Sequence, residues 1–452
     1  MFRKILIANR GEIAVRIIRA CRELGITAAA VYSEADLGSL HVLEADESYL
    51  VGPPPVAQSY LNIEEIVSAA IKCGAGAIHP GYGLLSENPE FAGACERAGI
   101  VFIGPPPGAI ASMGIKTEAR RIMKEAGIPV VPGSGPLESL DEARDFAREA
   151  GYPLMVKASA GGGGIGMQLV EAGEALEKAF NTCKSRAAAA FGNSEVYLEK
   201  YIETPRHVEI QIFADGKGNV VHLGERECSI QRRHQKIIEE APSPLVDDHM
   251  REGMGLDAVM AARAIGYVGA GTVEFLAGRD RKYYFLEMNT RLQVEHPVTE
   301  MITGTDLVAE QIRVASGLPL SWRQDDIKIS GHSLECRVYA EDPASFRPSS
   351  GEITALDYFS PDLAAGEKVR VDSGIRVGCR VSPYYDPLLS KIIVKSGSRD
   401  RSLGIMREVL GRTVIEGVKT NIPLLISVVS DPQFACGNIS TGFIGSLLLK
   451  KS

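Results

Sequence analysis

Apolar and polar residues alternate along residues 271–289, and this pattern predicts two β-strands joined by a short polar loop. If the hairpin closes symmetrically, Glu274 and Glu287 face each other with Cβ atoms roughly 5 Å apart, where like charges are destabilising. Asn289 is expected on the same face as Glu287. Two carboxylates and an amide on one patch indicate a hard cation, Mg²⁺ or Mn²⁺, and a solvated face paired with Arg or Lys is the alternative. Strict alternation also predicts that the second strand places Tyr284, Leu286 and Met288 on one face of the sheet. Tyr283 and Phe285 are then on the opposite face.

Strand and helix patterns alternate through the first 105 residues and predict a doubly wound parallel sheet. The predicted strands lie near residues 5–7, 26–33, 76–79 and 100–103, and the predicted helices near 11–24, 62–73 and 88–98. Tyr82 lies in a loop after a strand, where ligands of such sheets bind, although a turn aromatic is the alternative. A Pro/Gly-rich segment at 104–114 predicts a domain boundary.

Residues 115–203 predict a linker helix that carries Lys116, followed by a small unit with a glycine run at 161–166. A strand, not a helix, follows the glycines, so the pattern does not fit the dinucleotide fingerprint. A loop that closes its backbone N–H groups over phosphates fits better, and Lys157 just before it favours this interpretation over a merely mobile loop.

The rest of the chain predicts a hairpin at 206–227, a polar loop at 228–244, and helices at 249–265, 303–316 and 401–411. Residues 331–400 are typical of strands and turns. Arg337 alternates with Glu335 on one of these strands, where a plain ion pair is the alternative to a functional role.

Composition restricts the function classes. The net charge of −8 and the dispersed Lys and Arg residues do not favour a nucleic-acid partner. The eight cysteines are isolated and form no C-x-x-C pair, which argues against a zinc site or disulfide framework and for a reducing compartment. No apolar run approaches the roughly 20 residues that span a bilayer, so we expect a cytoplasmic protein without a membrane partner.

Several long strings resemble the biotin carboxylase family of ATP-grasp enzymes, and the resemblance covers nearly the whole chain. They are ANRGEIA (8–14), KASAGGGG (157–164), EKY (199–201), RHVEIQ (206–211), QRRHQK (231–236), EMNTR (287–291), QVEHPVTE (293–300) and GVKTN (417–421). The resemblance implies an α/β fold with four parts. They are an N-terminal doubly wound parallel sheet (1–114), a linker helix and ATP-grasp lid (115–203), an ATP-grasp central domain (204–330) and a C-terminal β-rich subdomain (331–452).

The resemblance also implies an activity. The family uses ATP and bicarbonate to carboxylate biotin on a biotin carboxyl carrier protein, through carboxyphosphate, giving ADP, phosphate and carboxybiotin. This is the first half-reaction of acetyl-CoA, other acyl-CoA or pyruvate carboxylases. Two alternatives are another ATP-grasp ligase, of the carbamoyl-phosphate or purine pathways, and a non-catalytic nucleotide-binding protein. The latter predicts loss of the metal carboxylates or of Glu295, and both are present.

Site residues follow from the resemblance, position by position. Those implied for ATP are Lys116, Lys157, Gly163, Gly164, Glu199, Lys200, Tyr201, Ile202, His207, Gln231 and His234. Two Mg²⁺ or Mn²⁺ ions are implied at Glu274, Glu287 and Asn289. Bicarbonate is implied at Lys236, Arg291, Gln293 and the backbone N–H of Val294. Glu295 is the implied base, Arg337 the group that stabilises the biotin enolate, and Tyr82 a residue flanking biotin; Lys236 and Arg291 complete the implied catalytic set.

The chain departs from the family pattern in three places. Ile165 replaces an arginine that is common in the lid, and no adenine-stacking residue is identified near 437–445. No Ala-Met-Lys-Met biotin attachment sequence is present, since Met123-Lys124 lies within a predicted helix. We therefore expect biotin on a separate carrier protein and a separate carboxyltransferase subunit, and the resemblance implies a homodimer.

Overall fold

The computed structural model of the chain describes residues 1–160, 166–233 and 235–449. Its strands are β1 (Lys4–Ile7), β2 (Thr27–Tyr32), β3 (Glu47–Leu50), β4 (Ala77–His79), β5 (Val101–Phe102), β6 (Leu154–Ala158), β7 (Met167–Val170), β8 (Val196–Lys200), β9 (Arg206–Ala214), β10 (Val220–Arg232), β11 (Gln235–Ala241), β12 (Gly269–Ala277), β13 (Tyr283–Asn289), β14 (His332–Tyr339), β15 (Gly351–Glu352), β16 (Ala355–Asp357), β17 (Lys368–Ser373), β18 (Arg380–Val381), β19 (Leu388–Ser396) and β20 (Val414–Glu416).

The helices lie on both faces of the first sheet and around the others. They are α1 (Gly11–Glu23), α2 (Leu40–Glu44), α3 (Ile63–Cys73), α4 (Pro89–Arg97), α5 (Pro107–Gly114), α6 (Lys116–Glu125), α7 (Leu140–Ala150), α8 (Leu176–Phe191), α9 (Asp248–Ala264), α10 (His296–Thr303), α11 (Leu307–Ala315), α12 (Arg399–Arg412), α13 (Ile422–Val429), α14 (Pro432–Ala435) and α15 (Phe443–Leu449). None of these described helices is both long and apolar enough to cross a membrane.

The N-terminal region forms the predicted parallel sheet, with strand order β3-β2-β1-β4-β5. Helix α1 buries Ile13, Ile17 and Cys21 against it, as the helical periodicity predicts. The segment at 104–114 is not simply a Pro/Gly-rich connection, because α5 begins at Pro107. Proline is well tolerated in the first turn of a helix, where its missing N–H has no partner to lose.

The lid unit is a three-stranded antiparallel sheet of order β7-β6-β8 with α7 and α8 packed on it. The strands on either side of the glycine run pair with each other, so the run connects a hairpin as expected. Gly163, Gly164 and Ile165 lie outside the described residues, as does His234. Helix α7 was not predicted.

One eight-stranded antiparallel sheet, of order β13-β12-β9-β10-β11-β14-β19-β17, forms the centre of the molecule. It includes strands from both sides of residue 330, so the division there falls between strands of one sheet and remains a prediction. Helices α12 and α13 pack against its C-terminal half in one large apolar core. The C-terminal part is thus a mixture of strands and helices.

The prediction of a polar loop at 228–244 is wrong. The second strand of the hairpin, β10, continues to Arg232, and β11 returns beside it and pairs with β14. Polar residues of this hairpin, such as Glu227, Glu239 and Glu240, are buried. Their polarity therefore reflects a network of ion pairs inside the protein and not exposure to water.

Candidate functional site

The hairpin of β12 and β13 has the predicted register, with Glu274 directly opposite Glu287. A β-bulge follows this pair, because the next pair is Phe275 with Phe285 and Leu286 is the extra residue. Phe285 therefore joins Met288 in the core, and the prediction that Leu286 and Met288 share a face is wrong. Leu286 instead lines a cavity.

That cavity has a volume of about 1380 Å³ and lies among the central sheet, the lid unit and the N-terminal sheet. It brings together most of the residues implied by the family resemblance. These are Tyr82, Lys116, Lys157, Glu199, Lys200, Tyr201, Ile202, His207, Gln231, Lys236, Glu274, Glu287, Asn289, Arg291, Gln293, Val294 and Arg337. Glu295 is fully buried and is not among these lining residues, but its partners Lys236 and Arg337 are.

Glu274 contacts four other side chains that line the cavity. It pairs with Lys236 and with the imidazole Nε2 of His207, each at 2.8 Å. The amides of Asn289 and Gln293 donate to it at 2.8 and 3.2 Å. Burial favours the neutral acid, but the two cationic partners outweigh it and hold the pKa of Glu274 well below its ordinary value. Glu274 is therefore a fixed negative charge.

Glu287 has a different environment although it is the cross-strand partner of Glu274. Its side chain is 37 % exposed, and its ion pair in the described structure is with Lys116 at 3.5 Å. Both carboxylates line the same cavity from neighbouring strands, and carboxylate oxygens are the ligands that hard divalent cations prefer. The amide oxygen of Asn289 accepts from Arg291 at 2.9 Å, while its amide nitrogen donates to Glu274. Asn289 thus bridges these two side chains. Glu274 and Glu287 are thus the carboxylates that would hold Mg²⁺.

Lys236 is the central cation of the site. Its ammonium contacts Glu209 at 2.5 Å, Glu295 at 2.6 Å and Glu274 at 2.8 Å. Burial opposes its charge, yet these carboxylates raise the pKa of Lys236 well above its ordinary value. Glu209 was not among the predicted site residues, although it shares a face of β9 with His207, and the strand register places it opposite Glu274.

Glu295 lies between two cations. Lys236 contacts one carboxylate oxygen, and Arg337 contacts the other at 2.8 Å. Despite its burial, these cations together with Arg226 hold the pKa of Glu295 well below its ordinary value. Arg337 also pairs with Glu239 at 2.5 Å, so its ion pairs across the described residues are with Glu239 and Glu295 and not with its neighbour Glu335.

Arg291 is held at the cavity wall by three side chains and by the carbonyl of Leu292. Glu87 from the N-terminal region accepts from its Nε at 2.7 Å, and Gln293 and Asn289 accept from its two terminal nitrogens. Glu87 was missed in the sequence, because nothing nearby in the chain connects a loop residue of the first sheet with a residue about 200 positions later. Glu87 fixes the guanidinium of Arg291 beside Gln293. An anion bound there would contact both Arg291 and Gln293.

The lid unit contributes side chains that already have protein partners. Glu199 accepts from Lys157 and from Arg120, each at 2.5 Å. The Lys200 ammonium donates to the carbonyls of Ala150, Gly151 and Tyr152 at the end of α7, where a helix favours positive charge. Because these side chains already have protein partners, we expect Glu199 and Lys200 to contact a nucleotide through their backbone groups.

Comparison with known proteins gives a consistent result over the whole chain. The family profile described as "Biotin carboxylase, N-terminal domain" matches residues 1–110, "Carbamoyl-phosphate synthase L chain, ATP binding domain" matches 116–323, and "Biotin carboxylase C-terminal domain" matches 335–446. A biotin carboxylase of Halalkalibacterium halodurans is 53 % identical over 453 residues, covering 100 % of this chain and 99 % of that protein.

Two solved structures have the same fold. A biotin carboxylase from Campylobacter jejuni, described as a β,γ-ATP complex, has a TM-score of 0.95 and 45 % identity, covering 99 % of both chains. The biotin carboxylase domain of the Hydrogenobacter thermophilus 2-oxoglutarate carboxylase has a TM-score of 0.94 and 48 % identity, covering 99 % of this chain and 98 % of that chain. It is described as a dimer in complex with MgADP, ADP and bicarbonate.

Proposed function

The chain belongs to the biotin carboxylase family, and we propose that Glu295 of its cavity takes the proton from bicarbonate in the reaction that this family performs. The enzyme is an ATP-grasp ligase, and its reaction is the ATP-dependent carboxylation of biotin, the first half-reaction of a biotin-dependent carboxylase. The observation that carries the assignment of Glu295 is its burial between Lys236 and Arg337, at the junction of the bicarbonate and biotin sides.

Bicarbonate binds beside Lys236 and Arg291, with Gln293 and the N–H of Val294 completing its hydrogen bonds. As the anion draws the Lys236 ammonium towards itself, Glu295 loses part of the positive charge that holds its pKa down. The carboxylate then becomes a stronger base and accepts the bicarbonate proton. In the resting structure all three carboxylates around Lys236 compete for the same ammonium, which supports such an exchange of partners.

The deprotonated bicarbonate oxygen attacks the γ-phosphorus of ATP, the bond to the ADP oxygen breaks, and carboxyphosphate forms. Lys116 and Lys157 hold the phosphates, and Mg²⁺ or Mn²⁺ on Glu274 and Glu287 supplies further neutralisation of phosphoryl charge when bound. The adenine meets the strand exit at Tyr201 and Ile202, with His207 and Gln231 nearer the sugar and phosphates. Gly163, Gly164 and His234 belong to the same proposal, and they lie outside the described residues.

Carboxyphosphate then releases CO₂ and phosphate, and the phosphate takes the ureido proton of biotin. The resulting enolate oxygen needs a fixed positive charge, which a guanidinium held by two carboxylates supplies. Arg337 has that arrangement through Glu239 and Glu295, and Tyr82 flanks the biotin ring. The ureido nitrogen finally attacks CO₂ and gives carboxybiotin.

Biotin reaches this cavity on a biotin carboxyl carrier protein, and a carboxyltransferase then moves the carboxyl group to its acceptor. The chain covers 99 % of the length of the Halalkalibacterium biotin carboxylase, which supports a separate carrier. A homodimer is supported by the dimer described for the Hydrogenobacter domain. A cytoplasmic location is supported by eight cysteines that are all free.

The test is ATP hydrolysis measured with and without bicarbonate and with and without free biotin. We expect ADP formation to require bicarbonate and to rise with biotin. Hydrolysis that is indifferent to biotin in the folded protein, or that responds instead to ammonia or an amine, would contradict the assignment and favour another ATP-grasp ligase. No hydrolysis under any condition would favour a non-catalytic nucleotide-binding protein.

A further inference from the structure

The Val294 backbone is held on one side by a buried histidine. The carbonyl of Gln293 accepts from Nδ1 of His296 at 2.8 Å, and because a carbonyl can only accept, Nδ1 carries the proton. His296 is fully buried, and burial together with the nearby Lys391 lowers its pKa well below the ordinary value, so the ring is neutral. The carbonyl of Gln293 is therefore directed into the protein interior.

The direction of this carbonyl determines the direction of the next N–H. The peptide bond between Gln293 and Val294 is trans, and in a planar trans peptide the C=O and N–H groups point to opposite sides. Val294 lines the cavity. With the carbonyl turned towards His296, the N–H of Val294 is turned towards the cavity, where an anion would accept from it.

The following peptide plane is held by Lys391, which is also fully buried. Its ammonium donates to the carbonyl of Val294 at 2.8 Å. Lys391 lies on β19, directly opposite Arg337 on the neighbouring strand β14. The strand pairing therefore fixes the position of Lys391 relative to Arg337, the residue proposed to act on biotin. Two successive peptide planes are thus held by fixed donors. The carbonyl of Gln293 accepts from Nδ1 and from the backbone N–H of His296, and the carbonyl of Val294 accepts from Lys391.

The same ammonium connects this segment with the N-terminal region. Lys391 pairs with Glu12 at 3.1 Å, and the Tyr82 hydroxyl donates to the same oxygen of Glu12. The ammonium also lies 5.8 Å from the centroid of the Tyr82 ring. Asp372 is a more distant partner at 3.9 Å. One buried cation therefore contacts both the backbone on the bicarbonate side and the residue that holds Tyr82.

We propose that Lys391 and His296 are positioning residues that clamp the two peptide planes around Val294 and so present its N–H to bicarbonate, with Lys391 also fixing Tyr82 through Glu12. The proposal rests on the assignment of Val294 to the bicarbonate site. Neither residue touches the substrates in this scheme. Their effect is on the affinity for bicarbonate and biotin, and ATP binding at the other end of the cavity is left unchanged.

The first test removes the clamp without leaving a buried charge unpaired. The double variant Lys391→Met with Glu12→Gln deletes both charges of the pair, which is often tolerated where deletion of one charge is not. We expect the KM for bicarbonate to rise about tenfold, the usual consequence of losing one charge-assisted hydrogen bond, and the KM for ATP to stay within about twofold. The control is Arg399→Met with Glu240→Gln, an ion pair at 2.6 Å between a partly buried arginine and a buried glutamate, neither of which lines the cavity.

The second test uses His296 and does not depend on the stability of the double variant. Because Asn can place an amide donor near the position of Nδ1, His296→Asn is expected to keep nearly normal kinetics, whereas His296→Leu raises the KM for bicarbonate. An unchanged KM for bicarbonate in folded His296→Leu, or parallel rises in the KM for ATP and bicarbonate, would overturn the clamp. Failure of the wild-type enzyme to require bicarbonate would instead overturn the proposed function.

Discussion

The two ends of the cavity are built from the chain in different ways. At the nucleotide end, Glu274 and Glu287 are cross-strand neighbours of one hairpin, and the backbone register alone brings them together. At the biotin end, Tyr82, Glu295 and Arg337 come from three distant segments, and contact requires the N-terminal sheet, α10 and the central sheet all to be in place. A local pairing is enough for the proposed metal site, whereas the proposed chemistry on biotin depends on the whole fold.

Glu287 and Glu295 differ in their exposure to water. Glu287 is 37 % exposed, whereas Glu295 is fully buried and held by two cations. In the proposed mechanism an incoming cation must reach Glu287, whereas Glu295 must be protected from water until the substrate binds. That mechanism gives one residue type two functions because the accessibility and the neighbours of the two side chains differ.

The largest expected effect comes from Glu295→Gln. We expect bicarbonate-dependent ATP turnover to fall by a factor of about 10²–10⁴, the usual contribution of a general base, while ATP binding measured by calorimetry is retained. Loss of ATP affinity to the same degree would show that the two ends are not separable. Near-normal turnover would remove Glu295 from the mechanism.

The next largest effect is expected for Arg337→Lys, which keeps the charge near Glu295 and loses the planar guanidinium. Carboxylation of biotin should fall about 10²–10³-fold, as for loss of an oxyanion donor, whereas ATP hydrolysis without biotin should change only a few-fold. Both are measured from ADP release and from carboxybiotin formation. Equal losses in the two assays would place Arg337 on the bicarbonate step as well.

A smaller effect is expected for Glu287→Gln at the nucleotide end. The Mg²⁺ concentration for half-maximal activity should rise by at least about tenfold, since even the loss of an outer-shell partner costs roughly that much in metal affinity. Glu252→Gln on the exposed side of α9 is the matched control. If the two variants give the same Mg²⁺ titration as wild type, the hairpin carboxylates are only a polar surface.

The smallest effect concerns Arg10 at the cavity wall, where it lies over the Tyr385 ring and is held by Asp36. Burial raises the pKa of Asp36, but the Arg10 guanidinium outweighs it and lowers the pKa to about 2. A lowered pKa gives stability that is present above the unfolded pKa near 4 and is lost as the pH falls towards 2. Wild type should therefore lose about 2 kcal/mol of unfolding free energy over this interval that Asp36→Asn does not lose. Urea unfolding at each pH measures this difference, and identical pH slopes would contradict it.

The prediction of the fold from the sequence was most successful where periodicity is local. The parallel sheet, the lid strands and the opposed pair Glu274 and Glu287 are confirmed, because strand alternation and helical spacing are properties of neighbouring residues. The bulge at Leu286 and the strand β11 were not predicted. The bulge depends on packing against the core, and the polar residues of β11 look like a loop until their buried partners are known.

The sequence by itself determined the family and the hairpin on which Glu274 and Glu287 face each other, because these depend on strings and spacings within short segments. Only the tertiary structure decided which cation holds which carboxylate. Lys236 could not be assigned to Glu209, Glu274 and Glu295, nor Lys391 to Val294 and Glu12, until the sheet brought them together. The physical reason is that ion pairs and hydrogen bonds depend on distance and burial in three dimensions, and residues tens to hundreds of positions apart share no local pattern.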